Sequence, residues 1–129
     1  MPKLLRGCGA IIASPHATAQ DRARAHYNRA QAWADQGDPD RAIADYQDVL
    51  RLMPDSADAY NGLGICLAAK GETDKAVAAY DEAIRIDPNF AIALFNRGLA
   101  LKAAGRAAEA EESFQRARRA GPRLTAPME

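Results

Sequence analysis

The stretch ADAYNGLGICLAAKGETDKAVAAYDEAIRIDPNF, residues 57–90, reads as two helices and the turns that bound them. From Ala57 to Lys70 the apolar Tyr60, Leu63, Leu67 and Ala68 recur at three- and four-residue steps, the spacing of one helix face. Gly71 stops that run, because glycine accepts the left-handed backbone at a helix end at little cost. Thr73 is a candidate N-cap for a second helix, Asp74 to Ile86. Ala76, Val77, Tyr80, Ala83 and Ile84 share one side of it. Asp87-Pro88-Asn89 then stops and restarts the chain, since Pro88 cannot continue the helix and Asn89 can cap the next one.

The same pattern lies on both sides of this stretch at a step of 34 residues. Gly37, Gly71 and Gly105 keep the step, as do Pro54, Pro88 and Pro122. So do Ala42, Ala76 and Ala110, and Tyr46, Tyr80 and Phe114. Three units follow, about 23–56, 57–90 and 91–124. The first has helices at about Ala23–Gln36 and Asp40–Leu52, with Asp38 as N-cap and Pro39 at the first helical position. The third has them at about Ala91–Ala104 and Ala108–Ala120. Ala30, Gly64 and Gly98 sit where a larger side chain would hold paired helices apart, and Ala42, Ala76 and Ala110 do the same from the second helix. Trp33, Tyr46, Leu63, Leu67, Tyr80, Leu101 and Phe114 fill the space beside them.

These columns resemble the tetratricopeptide repeat (TPR), whose signature is Trp-x2-Leu-Gly-x2-Tyr, then Ala-x3-Phe, then Pro. The middle unit reads Tyr60-x2-Leu63-Gly64-x2-Leu67, Ala76-x3-Tyr80, Pro88. The third reads Leu94-x2-Arg97-Gly98-x2-Leu101, Ala110-x3-Phe114, Pro122. The first, His26-x2-Arg29-Ala30-x2-Trp33, Ala42-x3-Tyr46, Pro54, diverges most. The resemblance implies an all-α fold, a right-handed α-solenoid of three helix-turn-helix repeats with about six helices. It also implies a non-catalytic adaptor or scaffold that binds a peptide or protein on the concave face lined by the first helix of each pair. Helix phase puts Arg24, Tyr27, Gln31 and Asp35 of the first unit on that face. The second unit supplies Asp58, Asn61, Ile65 and Ala69, and the third Ile92, Phe95, Leu99 and Lys102. Ile92, Phe95 and Leu99 form an apolar stripe apart from Leu94, Gly98 and Leu101, which pack internally. A partner side chain, the N-terminal segment or a second copy would cover such a stripe. Some members of the family clamp a chaperone's C-terminal carboxylate. The corresponding slots here hold Tyr27, Gln31, Gly62, Ile92 and Asn96, none of them cationic, so an apolar or mixed ligand fits better.

Composition agrees with a binding module and argues against other classes. The 129 residues hold 17 basic and 17 acidic side chains, without the basic excess of a nucleic-acid binder. The charge is uneven along the chain: net +2 to Arg22, −2 and −3 across the first two units, +4 across the third. No apolar run approaches the ~18 residues of a membrane span. Cys8 and Cys66 fit no zinc or disulfide pattern, and His16 and His26 lie in no metal-ligand spacing. Ser14, Ser56 and Ser113 have no base beside them in sequence, and the acidic residues read as surface or as ion pairs such as Asp81 with Arg85. No catalytic group, metal or cofactor is expected.

At the last helix, Glu111 and Arg118 replace Val77 and Ile84, a wetter face suited to the end of a stack. A complete three-unit protein is the expectation, monomeric in preference to a self-assembling structural protein, with a short tail at 125–129. At the other end, Lys3 and Arg6, the apolar run through Ile11 and Ile12, Pro15 and the sequence Ala17-Thr18-Ala19 assemble the parts of a secretory signal peptide. Residues 1–19 are therefore expected to be such a peptide, cut after Ala19 in a bacterial periplasmic or secreted protein. The alternative is a disordered tail on a cytoplasmic one.

Overall fold

The computed structural model describes residues 3–121, and every regular element among them is an α-helix. These are α1 (Lys3–Ala13), α2 (Ala19–Asp35), α3 (Pro39–Leu52), α4 (Ala57–Ala69), α5 (Thr73–Ile86), α6 (Ala91–Ala103) and α7 (Ala107–Ala120). The last six lie close to their expected bounds except at the start of α2. There Thr18 Oγ1 accepts the Asp21 amide at 3.0 Å while the Asp21 carboxylate accepts the Thr18 amide at 3.3 Å. This reciprocal capping box carries the helix four residues further back than Ala23. Pro122, Leu124 and residues 125–129 lie outside the described residues.

The three turns inside the repeats are one structure used three times. Gly37, Gly71 and Gly105 have φ of 78°, 78° and 79°. At each, the amide of the glycine and that of the next residue bond back into the helix, as in Gly71 to Ala68 (2.9 Å) and Glu72 to Leu67 (3.0 Å). This pair of hydrogen bonds satisfies carbonyls that a helix end leaves open. It also fixes the residue after the glycine as the cap of the next helix. In the first unit that residue is Asp38, whose carboxylate accepts the Arg41 amide with Pro39 just inside the helix, as expected. In the second unit the slot falls on Glu72, so Thr73 is the first helical residue and not the cap. Asn89 is displaced in the same way. The cap slot of α6 holds Phe90, and the Asn89 amide turns to Asp87 Oδ1 at 3.2 Å.

Helices pair as α2–α3, α4–α5 and α6–α7, and successive pairs stack through α3–α4 and α5–α6. The pairing depends on the absence of side chains. A Cβ at Gly64 would lie 2.5 Å from Tyr80, and one at Gly98 2.5 Å from Phe114. Ala30, Ala42 and Ala76 are fully buried, as are Leu94 and Leu101 on the internal side of α6. Gly62 has the same role between units, since a Cβ there would collide with the Tyr46 ring. Val77 and Ile84 are buried on α5, whereas Glu111 and Arg118 are exposed on α7 and pair at 3.6 Å.

One ion pair differs from the sequence reading. Arg85 pairs with Glu82 at 2.6 Å, and not with Asp81, which accepts from Arg97 of α6 at 2.8 Å. Asp81 faces the neighbouring pair, where a cation from α6 lies within reach. The N-terminal segment forms α1, which packs on α2 and buries Cys8. Cys66 is buried too, and both thiols are free.

Gly64→Leu is expected to lower stability by ~1–3 kcal/mol or more, because the new side chain meets a ring with nowhere to move. A denaturation midpoint equal to that of the wild type would contradict the Gly64–Tyr80 contact.

Candidate functional site

The first helices α2, α4 and α6 lie side by side, since each touches the next. Their outward positions form one continuous face. Asn96 Nδ2 donates to Asn61 Oδ1 at 3.2 Å and ties α6 to α4 across that face. Asn61 is thereby almost buried and serves as a strut more than as a free contact. Tyr27 is half-buried, set edge-on to Tyr46 with centroids 5.7 Å apart. Burial, and then the charge of Asp58, push its hydroxyl pKa up. Gln31 donates weakly to that hydroxyl at 3.4 Å. Arg24, Gln31, Asp35, Asp58, Ala69 and Lys102 are exposed.

The apolar members divide. Ile65, Ile92 and Leu99 are 45–46% exposed. Ile65 and Leu99 meet at a cleft of about 250 Å³ between α4 and α6, floored by Ala68, Tyr80 and Ala100. Phe95 behaves differently. Its ring packs on Phe114 of α7 at 5.5 Å, beside a cleft of about 400 Å³. The position of Phe95 corresponds to that of Asn61, which meets the following unit.

A second polar group lies between α2 and α3. Asp45 is buried and takes two hydrogen bonds from Arg29, at 2.8 Å from Nε and 2.7 Å from Nη2. His26 Nδ1 lies 2.8 Å from the same carboxylate and 3.6 Å from Asp48. The hydrogen bonds to Asp45 push the Arg29 pKa further up and keep it charged. In the third pair Arg97 donates to Ser113 Oγ at 2.7 Å and to Asp81. The sequence carried a signal for this arrangement. Arg29 and Arg97 stand in the column of Leu63, and sixteen residues later Asp45 and Ser113 stand in the column of Ala79. Arginine enters this core column only where an acceptor enters the other.

Ligand atoms of His26, Asp45 and Asp48 lie within 4.8 Å of one another, close enough for a metal ion. Yet both oxygens of Asp45 already serve Arg29, and a guanidinium at that distance opposes a second cation. The donor set fits an ion-paired strut joining α2 to α3. Burial raises the pKa of both thiols, which opposes the reactive thiolate. No helix among the described residues is long and apolar enough to cross a membrane.

Comparison with known proteins bears on the fold and its repeat. The sequence profile of the tetratricopeptide repeat matches residues 13–52 and 27–89, and a second profile of the same repeat matches residues 79–112. Among solved structures, MamA is 30% identical with a TM-score of 0.74, the match covering 84% of this chain and 67% of that one. YrrB, described as a TPR protein with an unusual peptide-binding site, is 22% identical (TM-score 0.71), covering 81% of this chain and 57% of its own length. The TPR2B domain of yeast Sti1, solved with pHsp70, is 24% identical (TM-score 0.76), covering 81% and 83%. The chain thus spans about two thirds of MamA and a little over half of YrrB. No curated protein sequence gives a significant match.

Asp45→Ala is expected to destabilise the fold by up to about 3 kcal/mol, the low end for a broken buried pair, because Arg29 keeps a quarter of its side chain in water. Arg29→Leu combined with Asp45→Ala copies the middle unit and should recover much of the loss in thermal unfolding. A double variant as unstable as Asp45→Ala would contradict the pairing.

Proposed function

Since the chain belongs to the tetratricopeptide-repeat family, we propose that it is a non-catalytic adaptor that holds a peptide or protein partner on the face of α2, α4 and α6. One observation carries this reading. Five large apolar side chains stand out as exposed among the described residues, and three of them, Ile65, Ile92 and Leu99, belong to this face. Side chains of that size left in water on adjacent helices are the usual mark of a surface that another molecule covers. The peptide-binding site of YrrB and the pHsp70 complex of the Sti1 domain support a protein or peptide as the ligand. The absence of a cation from Tyr27, Gln31, Gly62, Ile92 and Asn96 favours apolar and amide contacts over capture of a carboxylate terminus.

A second reading rests on the cleft between α6 and α7. Phe95, Leu99 and Phe114 line it, with Lys102, Glu111 and Arg118 around them. A second copy seated there would make the stripe a subunit interface. The monomeric adaptor remains our reading, because Ile65 lies outside that cleft and joins Leu99 on the lateral face.

Export after a cut at Ala19 remains a proposal drawn from the signal-like composition of residues 1–19. In place of a disordered tail, the packing of α1 on α2 and the capping box of Thr18 support a retained segment that packs as a helix against the first repeat. Mass measurement of the natural protein separates the two: a mature chain starting at Gln20 supports export, one that includes α1 supports retention.

Leu99→Asp, alone and with Ile65→Asp, tests the adaptor reading. Partner capture from a native extract should fall at least ~10-fold with helix content unchanged, since both residues are half-exposed. Capture at wild-type strength would exclude this face. Phe95→Asp is the poorer probe, because it also strikes the packing on Phe114. Light scattering on the same proteins decides between the readings: a mass that rises with concentration and is cut back by Leu99→Asp identifies a subunit interface.

A further inference from the structure

The turns that join α3 to α4 and α5 to α6 are equivalent, Met53-Pro54-Asp55-Ser56 and Asp87-Pro88-Asn89-Phe90. They end differently. At the second, Phe90 is half-buried and packs against the cluster of Ala83, Ile84, Ala93 and Leu94. At the first, Ser56 caps α4, its Oγ accepting the Ala59 amide at 3.2 Å. A cavity of about 510 Å³ opens beside Ser56, walled by Ala23, Tyr27, Val49 and Leu52. Two of these walls, Ala23 and Val49, hold the columns of Ala57 and Ala83, which belong to the same hydrophobic cluster as Phe90 one unit later.

We propose that this cavity is a receptor for a phenylalanine side chain of the bound partner, which enters from outside a place equivalent to the one that Phe90 fills from within one unit later. The repeat itself argues for that occupant, because an equivalent wall accepts a phenyl ring elsewhere in this chain. The Tyr27 ring, already edge-on to Tyr46, offers an aromatic wall. Met53, 41% exposed at the mouth, adds an adaptable thioether. The volume exceeds one ring, leaving room for adjoining backbone, with Asp55 and Asp58 on the rim to accept its amide protons. The inference rests on the adaptor reading for its partner, since Arg24, Tyr27 and Asp58 belong both to the cavity and to the groove face. It adds a specificity: the ligand carries phenylalanine at the point that crosses the α3–α4 turn.

The first arm of the test needs no partner, and the second uses partner capture. Amide shifts of the full chain are followed while N-acetyl-phenylalaninamide is added, with N-acetyl-alaninamide as control. Saturable shifts at Ala23, Val49, Leu52 and Asp55, at least ~10-fold stronger than with the control, are expected. Ser56→Phe, which builds the plug into the chain, should abolish them, and Ser56→Leu does the same work if the larger ring prevents folding. Phe90→Ala should gain a second set of shifts at Ala57 and Ala83. Equal response to both probes, shifts centred on Ile65 and Leu99, or binding that survives both Ser56 variants overturns the receptor. A natural partner held equally by wild type and Ser56→Phe removes the receptor and leaves the groove. Probe binding at the cavity together with undiminished capture by Leu99→Asp removes the lateral face and leaves the receptor.

Discussion

The close approach of paired helices, possible only where one helix has no side chain to offer, sets everything else in this molecule. At Gly64 and Gly98 an aromatic ring from the second helix lies where a Cβ would need to be. The ring, buried for Tyr80 and half-buried for Phe114, fits because the backbone opposite it is bare, and the backbone stays bare because the ring excludes substitution. Dense contact of this kind carries large dispersion energy for few residues. It lets a chain with only 6% aromatic content fix the geometry of each pair. Gly62 extends the same constraint from within a pair to the step between pairs, where the Tyr46 ring fills the space.

A scaffold held this way tolerates variation in the columns around it. Leucine and alanine in the middle unit become arginine and aspartate in the first, and arginine and serine in the third. Each combination closes the same gap between helices, once by apolar packing and twice by hydrogen bonds to a buried acceptor. Ser56 and Phe90 illustrate the same freedom on the surface. One position trades a ring for a helix cap, and a cavity appears where the other unit is filled. Individual units thus acquire separate chemistry without disturbing the stack.

Stacking also decides which apolar groups face a ligand. Ile92, Phe95 and Leu99 share one stripe by helical spacing, and nothing in that spacing separates them. Once α7 folds back beside α6, the Phe95 ring is drawn onto Phe114, while Ile92 and Leu99 stay in water. Ile65, one helix away, then joins Leu99 at a shared cleft.

The sequence by itself determined the fold and its period. The 34-residue columns located the turns, the glycines that take a positive φ, the small residues at the helix contacts and the polar Glu111 and Arg118 on α7, because each expresses a local backbone need or a repeated packing need. It also held the Arg29–Asp45 and Arg97–Ser113 pairs as linked substitutions, legible once the columns are aligned. Tertiary structure alone decided the remainder. The capping slots shifted from Thr73 and Asn89 to Glu72 and Phe90 because the preceding turn, and not residue preference, sets where the next helix begins. Asp81 chose Arg97 over Arg85, since a neighbour in space lay better than one four residues along. The seating of α1, the burial of Asn61 and the cavity beside Ser56 likewise arise from surfaces that meet only when the units are stacked.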